Sequence, residues 1–181
     1  QVRKVGDAYY ESSFEPRAAN ISGPPDYDPL AYVIEKAHAC GMEVHAWVNT
    51  YRIWKERELP SDPSHIAVRH PDWLTRTASG EKCAPDGFFL DPGVAEVQDY
   101  TLNILMDIVR NYDLDGIHLD YVRYPGQAFG YAAAAVNRFN EETGRRGVPA
   151  SSDAAWQRWR RDQVTALVRR IYKAATKLKP G

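Results

Sequence analysis

The 181 residues carry 23 Lys and Arg against 24 Asp and Glu, a formal charge of −1, with 44% hydrophobic and 26% charged residues. That is enough chain for one domain with a real core, and the charge balance gives no electrostatic ground for binding nucleic acid or an anionic membrane surface. No apolar run reaches membrane-spanning length, and Cys40 and Cys83 form neither a metal-ligand spacing nor a disulfide framework.

Gln1 to Tyr10 reads as a strand, and Ser12 to Tyr27, rich in Pro, Gly, Ser and Asn, as a loop. Asp28 and Pro29 fit the N-cap and first position of a helix. Leu30, Val33, Ile34 and Ala37 follow at helical spacing, with Gly41 as the stop. Cys40, on this helix, is expected to be a small buried apolar residue. Glu43 to Asn49 is a strand with Val44, Ala46 and Val48 on one face and His45, Trp47 and Asn49 on the other.

Thr50 to about Gly93 is an excursion of the length usually tied to function. Within it Ser64 to Arg69 suits a short helix and Gly87 to Leu90 a short strand. Val94 to Tyr112 is a helix with Val97, Leu105, Ile108 and Tyr112 along one side. Leu114 to Tyr121 is the next strand. Ile117, Leu119 and Tyr121 share one parity, and His118 and Asp120 the other. Gly126 to Ser152 is a second excursion holding a helix from Tyr131 to Thr143, stopped by Gly144. Asp153 to Leu178 is a long helix with Trp156, Val164, Leu167, Val168, Ile171, Ala175 and Leu178 at i, i+3, i+4 spacing, ended by Lys179-Pro180-Gly181.

Strands alternating with helices argue for parallel strands joined by helical crossovers. Parallel strands covered on both sides usually read as continuous apolar runs, whereas these keep one polar face. A (β/α) barrel reconciles the two, because outward side chains pack under helices and inward ones line a lumen whose catalytic end is polar. The long excursions follow strand C-termini, where such barrels build their sites. A full barrel needs about 250 residues. The expectation is therefore an α/β fold that is a partial TIM (β/α)8 barrel, roughly strands two to four with their helices, with 1–181 a fragment of one domain.

The chemistry gathers at the end of the Leu114–Tyr121 strand. Glycoside hydrolysis needs two carboxyl groups across a glycosidic bond, and Asp120 fits the ionised one. His118, two residues earlier on the same face, could hold a sugar hydroxyl or orient the carboxylate. Arg123 could keep Asp120 ionised or form a structural salt bridge with it. Asp115 suits a structural turn. His45 and Asn49 fall beside His118 and Asp120 if neighbouring strands pair. Asp91 suits helix capping or ligand binding. Tyr51, Arg52, Trp54 and Trp73 offer sugar-stacking surfaces or core packing. Tyr121 joins the supporting shell, although its parity leans outward. His45, His118, Asp120 and Asp91 could hold a metal, but no compact ligand motif such as HExxH occurs, and none is assigned. No Gly-rich phosphate loop or nucleophile elbow implies a cofactor or another mechanism.

The stretch Asp115-Gly116-Ile117-His118-Leu119-Asp120-Tyr121-Val122-Arg123-Tyr124-Pro125 closely resembles the signature of the bacterial glycosyl-hydrolase-like family 10. That group of secreted or lipoprotein-anchored barrels includes a peptidoglycan glycosidase of the division machinery. The resemblance extends to Gly6-Asp7-Ala8-Tyr9-Tyr10, to residues 43–52, to His70-Pro71-Asp72-Trp73, to Leu90-Asp91-Pro92-Gly93 and to residues 156–172. It implies a glycoside hydrolase acting on a cell-wall or related polysaccharide, outside the cytoplasm or in the cell envelope. Asp120 would be the catalytic carboxylate, and His118, His45, Asn49, Asp91, Arg123, Tyr121, Arg52 and Asp7 would bind substrate. The family is distantly similar to α-amylase-type barrels, whose Gly-Phe-Arg-x-Asp strand motif has the shape of Gly116-Ile117-His118-Leu119-Asp120, with His118 in place of Arg. It further implies that Gln1 lies in the second strand and that the general acid lies beyond Gly181, among the remaining barrel strands, so that 1–181 alone would be inactive. The alternatives left open are a non-catalytic carbohydrate-binding barrel and a metal-dependent deacetylase or hydrolase using the histidines.

Overall fold

A computed structural model describes residues 1–179. The helix stop expected at Pro180-Gly181 falls outside them. Helix α1 (Pro29–Ala39) is capped as its sequence requires: the Asp28 carboxylate accepts from the Leu30 and Ala31 N–H groups at 2.9 and 3.0 Å. Its core face is narrower than the spacing suggests, since Leu30 and Ile34 are buried but Val33 is half exposed. Cys40, the C-cap, is exposed. The expected burial fails because the helix ends there, at the C-cap, rather than continuing across the core.

Strand β1 (His45–Asn49) pairs in parallel with a later strand, Gly116–Asp120. Between them the chain forms a short antiparallel pair, β2 (Arg52–Trp54) with β3 (Phe88–Phe89), and a one-turn helix α2 (Ile66–Arg69). At Gly87 an added Cβ would stand 2.0 Å from the Trp54 carbonyl oxygen, at φ +108, so only glycine admits the chain here. Helix α3 (Ala95–Asn111) makes the crossover to the Gly116–Asp120 strand, β4. Two helices follow, α4 (Ala133–Thr143), ended by Gly144 at φ +67, and α5 (Ala154–Leu178), capped by Asp153.

The first ten residues correct the expectation of a strand. Arg3 alone bridges in parallel to Val48, and the chain then turns at Lys4–Gly6, with Asp7 accepting from the Val5 N–H at 2.9 Å. A short parallel contact ties this segment to β1, with the Val2 N–H donating to the Trp47 carbonyl at 2.8 Å and the Asn49 N–H to the Arg3 carbonyl at 3.0 Å, and an ion pair adds to it. The Arg3 guanidinium meets the Glu15 carboxylate through two bonds of 2.7 Å, with the side chains 1% and 0% exposed. Its remaining amine donates to the Asn49 and Thr50 carbonyls at the end of β1.

Ala46 and Val48 are each 1% exposed, under the helices. Ile117 and Leu119 face the same side of β4, but only partly covered. They line an apolar groove of about 320 Å³ with Val109 of α3 and Val168, Ile171 and Tyr172 of α5. Among the described residues β4 pairs with β1 alone. At the other end of α5, fully buried Trp156 stacks on Trp159 with centroids 5.2 Å apart and meets Phe139 of α4 edge-on at 4.9 Å.

Asp115 is the structural tie its position suggests. It accepts from the Val44 N–H at 2.7 Å and meets His38 Nε2 at 2.9 Å, locking the starts of β1 and β4 in register.

Candidate active site

The register decides which polar residues meet. Asn49 pairs with Asp120, Trp47 with His118, and His45 with Gly116. Asp120 thus ends the open face of the sheet, and its carboxylate has two donors. Trp47 Nε1 donates to Oδ2 at 3.1 Å, reaching diagonally across the strands, and the Tyr121 N–H donates to Oδ1 at 2.6 Å. Each carboxylate oxygen offers about two lone-pair sites, so both keep one for a ligand. The Trp47 ring is held edge-on to His118, with centroids 5.9 Å apart.

Tyr121 is the non-glycine residue with a left-handed backbone, at φ +50. A bulky side chain reaches that region at a cost of about 1–3 kcal/mol, and such strain clusters at functional sites. The twist breaks the strand's alternation, so Tyr121 does not follow the outward parity of Ile117 and Leu119. Instead its hydroxyl accepts from Arg52 Nη1 at 2.7 Å and its ring packs against Phe89 at 5.8 Å. Arg123 lies over the Phe89 and Tyr121 rings, 5.7 and 5.3 Å from their centroids. Its charge pairs with Asp86 at 3.1 Å, not with Asp120. Asp86 lies in the long excursion, and no spacing in the sequence links the two.

The other candidates separate by position. His45 lies at the far end of β1, four residues or about 13 Å from Asn49, with its ring across Gly116, where a Cβ would stand 2.5 Å from Nδ1. It does not sit beside His118 and Asp120. Asn49 is 2% exposed, accepting from Gln1 Nε2 at 2.8 Å and donating to the Lys4 carbonyl at 2.6 Å, so it anchors the N-terminal segment next to Asp120. Asp7 lines a separate cleft of about 540 Å³ with Trp54, Arg17 and His65. Trp73 stacks on His70 at 4.0 Å, and Tyr51 is fully buried.

Asp91 is sealed from solvent. Its oxygens accept from the Gly93 N–H at 2.9 Å, the Thr75 hydroxyl at 3.0 Å and the Ala132 N–H at 3.1 Å. It is not the cap of α3, which begins after Val94, but a tie between the first excursion and the start of α4. Burial pushes its carboxyl above the ordinary range, against the pull of those bonds and of Arg160. Burial, and then the Asp91 charge, push the Tyr51 and Tyr124 phenols up as well. A carboxyl raised in the folded state stabilises the fold fully below its unfolded value and loses that contribution as pH rises through the folded one. Asparagine at 91 does not titrate. Stability relative to Asp91→Asn should therefore rise as pH falls from neutrality toward about 4, read from urea midpoints at each pH.

His45 and Asp91 being apart from Asp120, the four-residue ligand set does not assemble. Among the described residues no group of three or more His, Cys, Asp and Glu side chains could hold a metal ion.

The chain that carries this geometry has known relatives. The family described as Glycosyl hydrolase-like 10 matches residues 1–181. The chain belongs to this family. Among relatives of the glycosyl hydrolase-like 10 chain, glycosyl hydrolase YngK of Bacillus subtilis is 32% identical over 99% of this chain and 34% of its own length. Glycosyl hydrolase DigH of Escherichia coli is 34% identical over 100% of this chain and 41% of its own. The chain thus spans roughly a third to two-fifths of these relatives. The fold of the glycosyl hydrolase-like 10 chain is found in α-L-fucosidase isoenzyme 2 from Paenibacillus thiaminolyticus, with a TM-score of 0.73 at 22% identity over 96% of this chain and 24% of that one.

Two features of the glycosyl hydrolase-like 10 site escape sequence reasoning. Trp47 shares its strand face with Asn49, but only the register shows that its indole reaches Asp120. Arg3 and Glu15 carry no signal at all, since a buried ion pair between two residues outside regular elements has no periodicity.

Proposed function

We propose that this chain contributes the catalytic carboxylate of a glycoside hydrolase acting on a bacterial cell-wall polysaccharide. The carrying observation is Asp120: a partly exposed carboxylate at the C-terminal end of a parallel strand, accepting through both oxygens, in a chain of the glycosyl hydrolase-like 10 family. That is where a (β/α) barrel presents reactive groups. On this reading residues 1–181 are part of a (β/α)8 barrel, roughly its second to fourth strands, and the general acid comes from elsewhere in the full-length protein. His118, Asn49, Arg52, Tyr121 and Arg123 form the surrounding shell, with Asp7 farther out. The carboxylate provides the nucleophile or base and the missing acid protonates the leaving oxygen. An S-layer-related protein of Niallia circulans, 26% identical over 79% of this chain, agrees with a cell-envelope setting. Among the described residues no helix is long and apolar enough to cross a membrane.

Incubating the full-length protein with purified glycan strands should release reducing ends, with or without a chelator. Binding without release would instead favour a carbohydrate-binding barrel. Activity lost on chelation would favour a metal-dependent hydrolase.

A further inference from the structure

We infer that Trp47 is a positioning residue for Asp120, an inference that rests on the hydrolase reading above. A carboxylate at a strand end can rotate about its Cα–Cβ and Cβ–Cγ bonds, and a misplaced reactive atom loses most of its advantage. Here both oxygens are engaged from different directions. The Tyr121 N–H, in the peptide that directly follows Asp120, reaches Oδ1 at 2.6 Å. That bond alone leaves the carboxylate free to swing about Oδ1. The Trp47 indole, at 3.1 Å from Oδ2, is the second fixed point.

The indole, 43% exposed, is held by its strand and by one aromatic neighbour. Its backbone sits within the β1–β4 ladder opposite His118, whose ring meets it edge-on at 5.9 Å. Val48, the next residue, is packed at 1% exposure under the helices, so the strand cannot slip to release it. His118 thereby acts two contacts away from the chemistry, through the tryptophan. Phenylalanine at 47 would keep an aromatic ring beside His118 but lose the only hydrogen-bond donor of the side chain. It therefore separates the donor from the packing.

The test uses the full-length protein with two readouts. In the first, Trp47→Phe and wild type are compared on soluble glycan fragments. The expected result is a fall in kcat of about tenfold or more, with KM within about twofold and the thermal midpoint nearly unchanged. A variant that keeps wild-type kcat overturns the inference, and so does one that loses kcat only in proportion to its folded fraction. In the second, the Trp47 indole N–H resonance is followed in 15N-tryptophan-labelled wild type and Asp120→Asn. Its assignment comes from the peak missing in Trp47→Phe. The expected result is a marked upfield move when the charged acceptor is removed. An unmoved resonance overturns the inference. The resonance reports the contact whether or not the protein hydrolyses glycan. A moved resonance in a protein without activity on any glycan would reject the hydrolase reading and leave the Trp47–Asp120 contact standing.

Discussion

Asp120→Asn in the full-length protein should lower release of reducing ends from glycan strands by about a thousandfold or more while leaving glycan binding nearly intact. The substitution keeps the volume and most of the shape of the side chain. It removes the negative charge that would stabilise or attack a developing oxocarbenium centre. It also has a local consequence peculiar to this site. Both oxygens of Asp120 accept from groups that can only donate, the Trp47 indole N–H and the Tyr121 peptide N–H. An amide offers one acceptor and one NH₂, so it must set a donor against a donor at one of them. The amide is therefore expected to sit in a different rotamer, and Asp120→Ala, which has neither, should match it in activity. Full activity in Asp120→Asn would remove the carboxylate from the mechanism.

The second large effect concerns stability. Glu15→Ala should destabilise the fold by about 3–5 kcal/mol, because it leaves the Arg3 guanidinium buried without its counter-charge. The guanidinium is 1% exposed, and Tyr100 also donates to Glu15, at 3.0 Å. For a domain of this size the thermal midpoint should fall by about 10 °C or more. Arg3→Met combined with Glu15→Leu should recover most of the loss, since replacing both charges by apolar groups removes the desolvation penalty along with the attraction. A loss below about 1 kcal/mol in the single variant, on the scale of an exposed pair, would show that the pair is not sealed. Because Arg3 holds the Asn49 and Thr50 carbonyls, loosening it also frees the backbone beside Asp120.

Much of this architecture is legible in the sequence, for reasons that differ by element. Helix α1 announces itself through Asp28-Pro29, and α5 through Asp153 and the recurrence of Trp156, Leu167 and Ile171, because caps and apolar periodicity act locally. The sidedness of β1 and β4 follows from alternation alone. Residues 1–10 mislead because Val2, Val5, Tyr9 and Tyr10 favour strands, while only Val2 and Arg3 bond to β1 before the chain turns at Lys4–Gly6, and the partner of Arg3, Glu15, lies beyond that turn. The site is legible only as far as the strand. Parity put His118 and Asp120 on one face, but it also put His45 there, and only the Gly116 register removes His45 to the far end. Tyr121 escapes parity because a left-handed residue ends the alternation, and Arg123 escapes spacing because its partner Asp86 is 37 residues away.

Among the described residues one side of β4 is unpaired, and this has a practical consequence. A strand edge with free N–H and C=O groups, next to a groove where Tyr172 is 70% exposed, is a template for sticking to another chain. Material comprising residues 1–181 alone should therefore self-associate as concentration rises, through that edge. A charged substitution at the exposed Tyr172 would be the first remedy for its solubility.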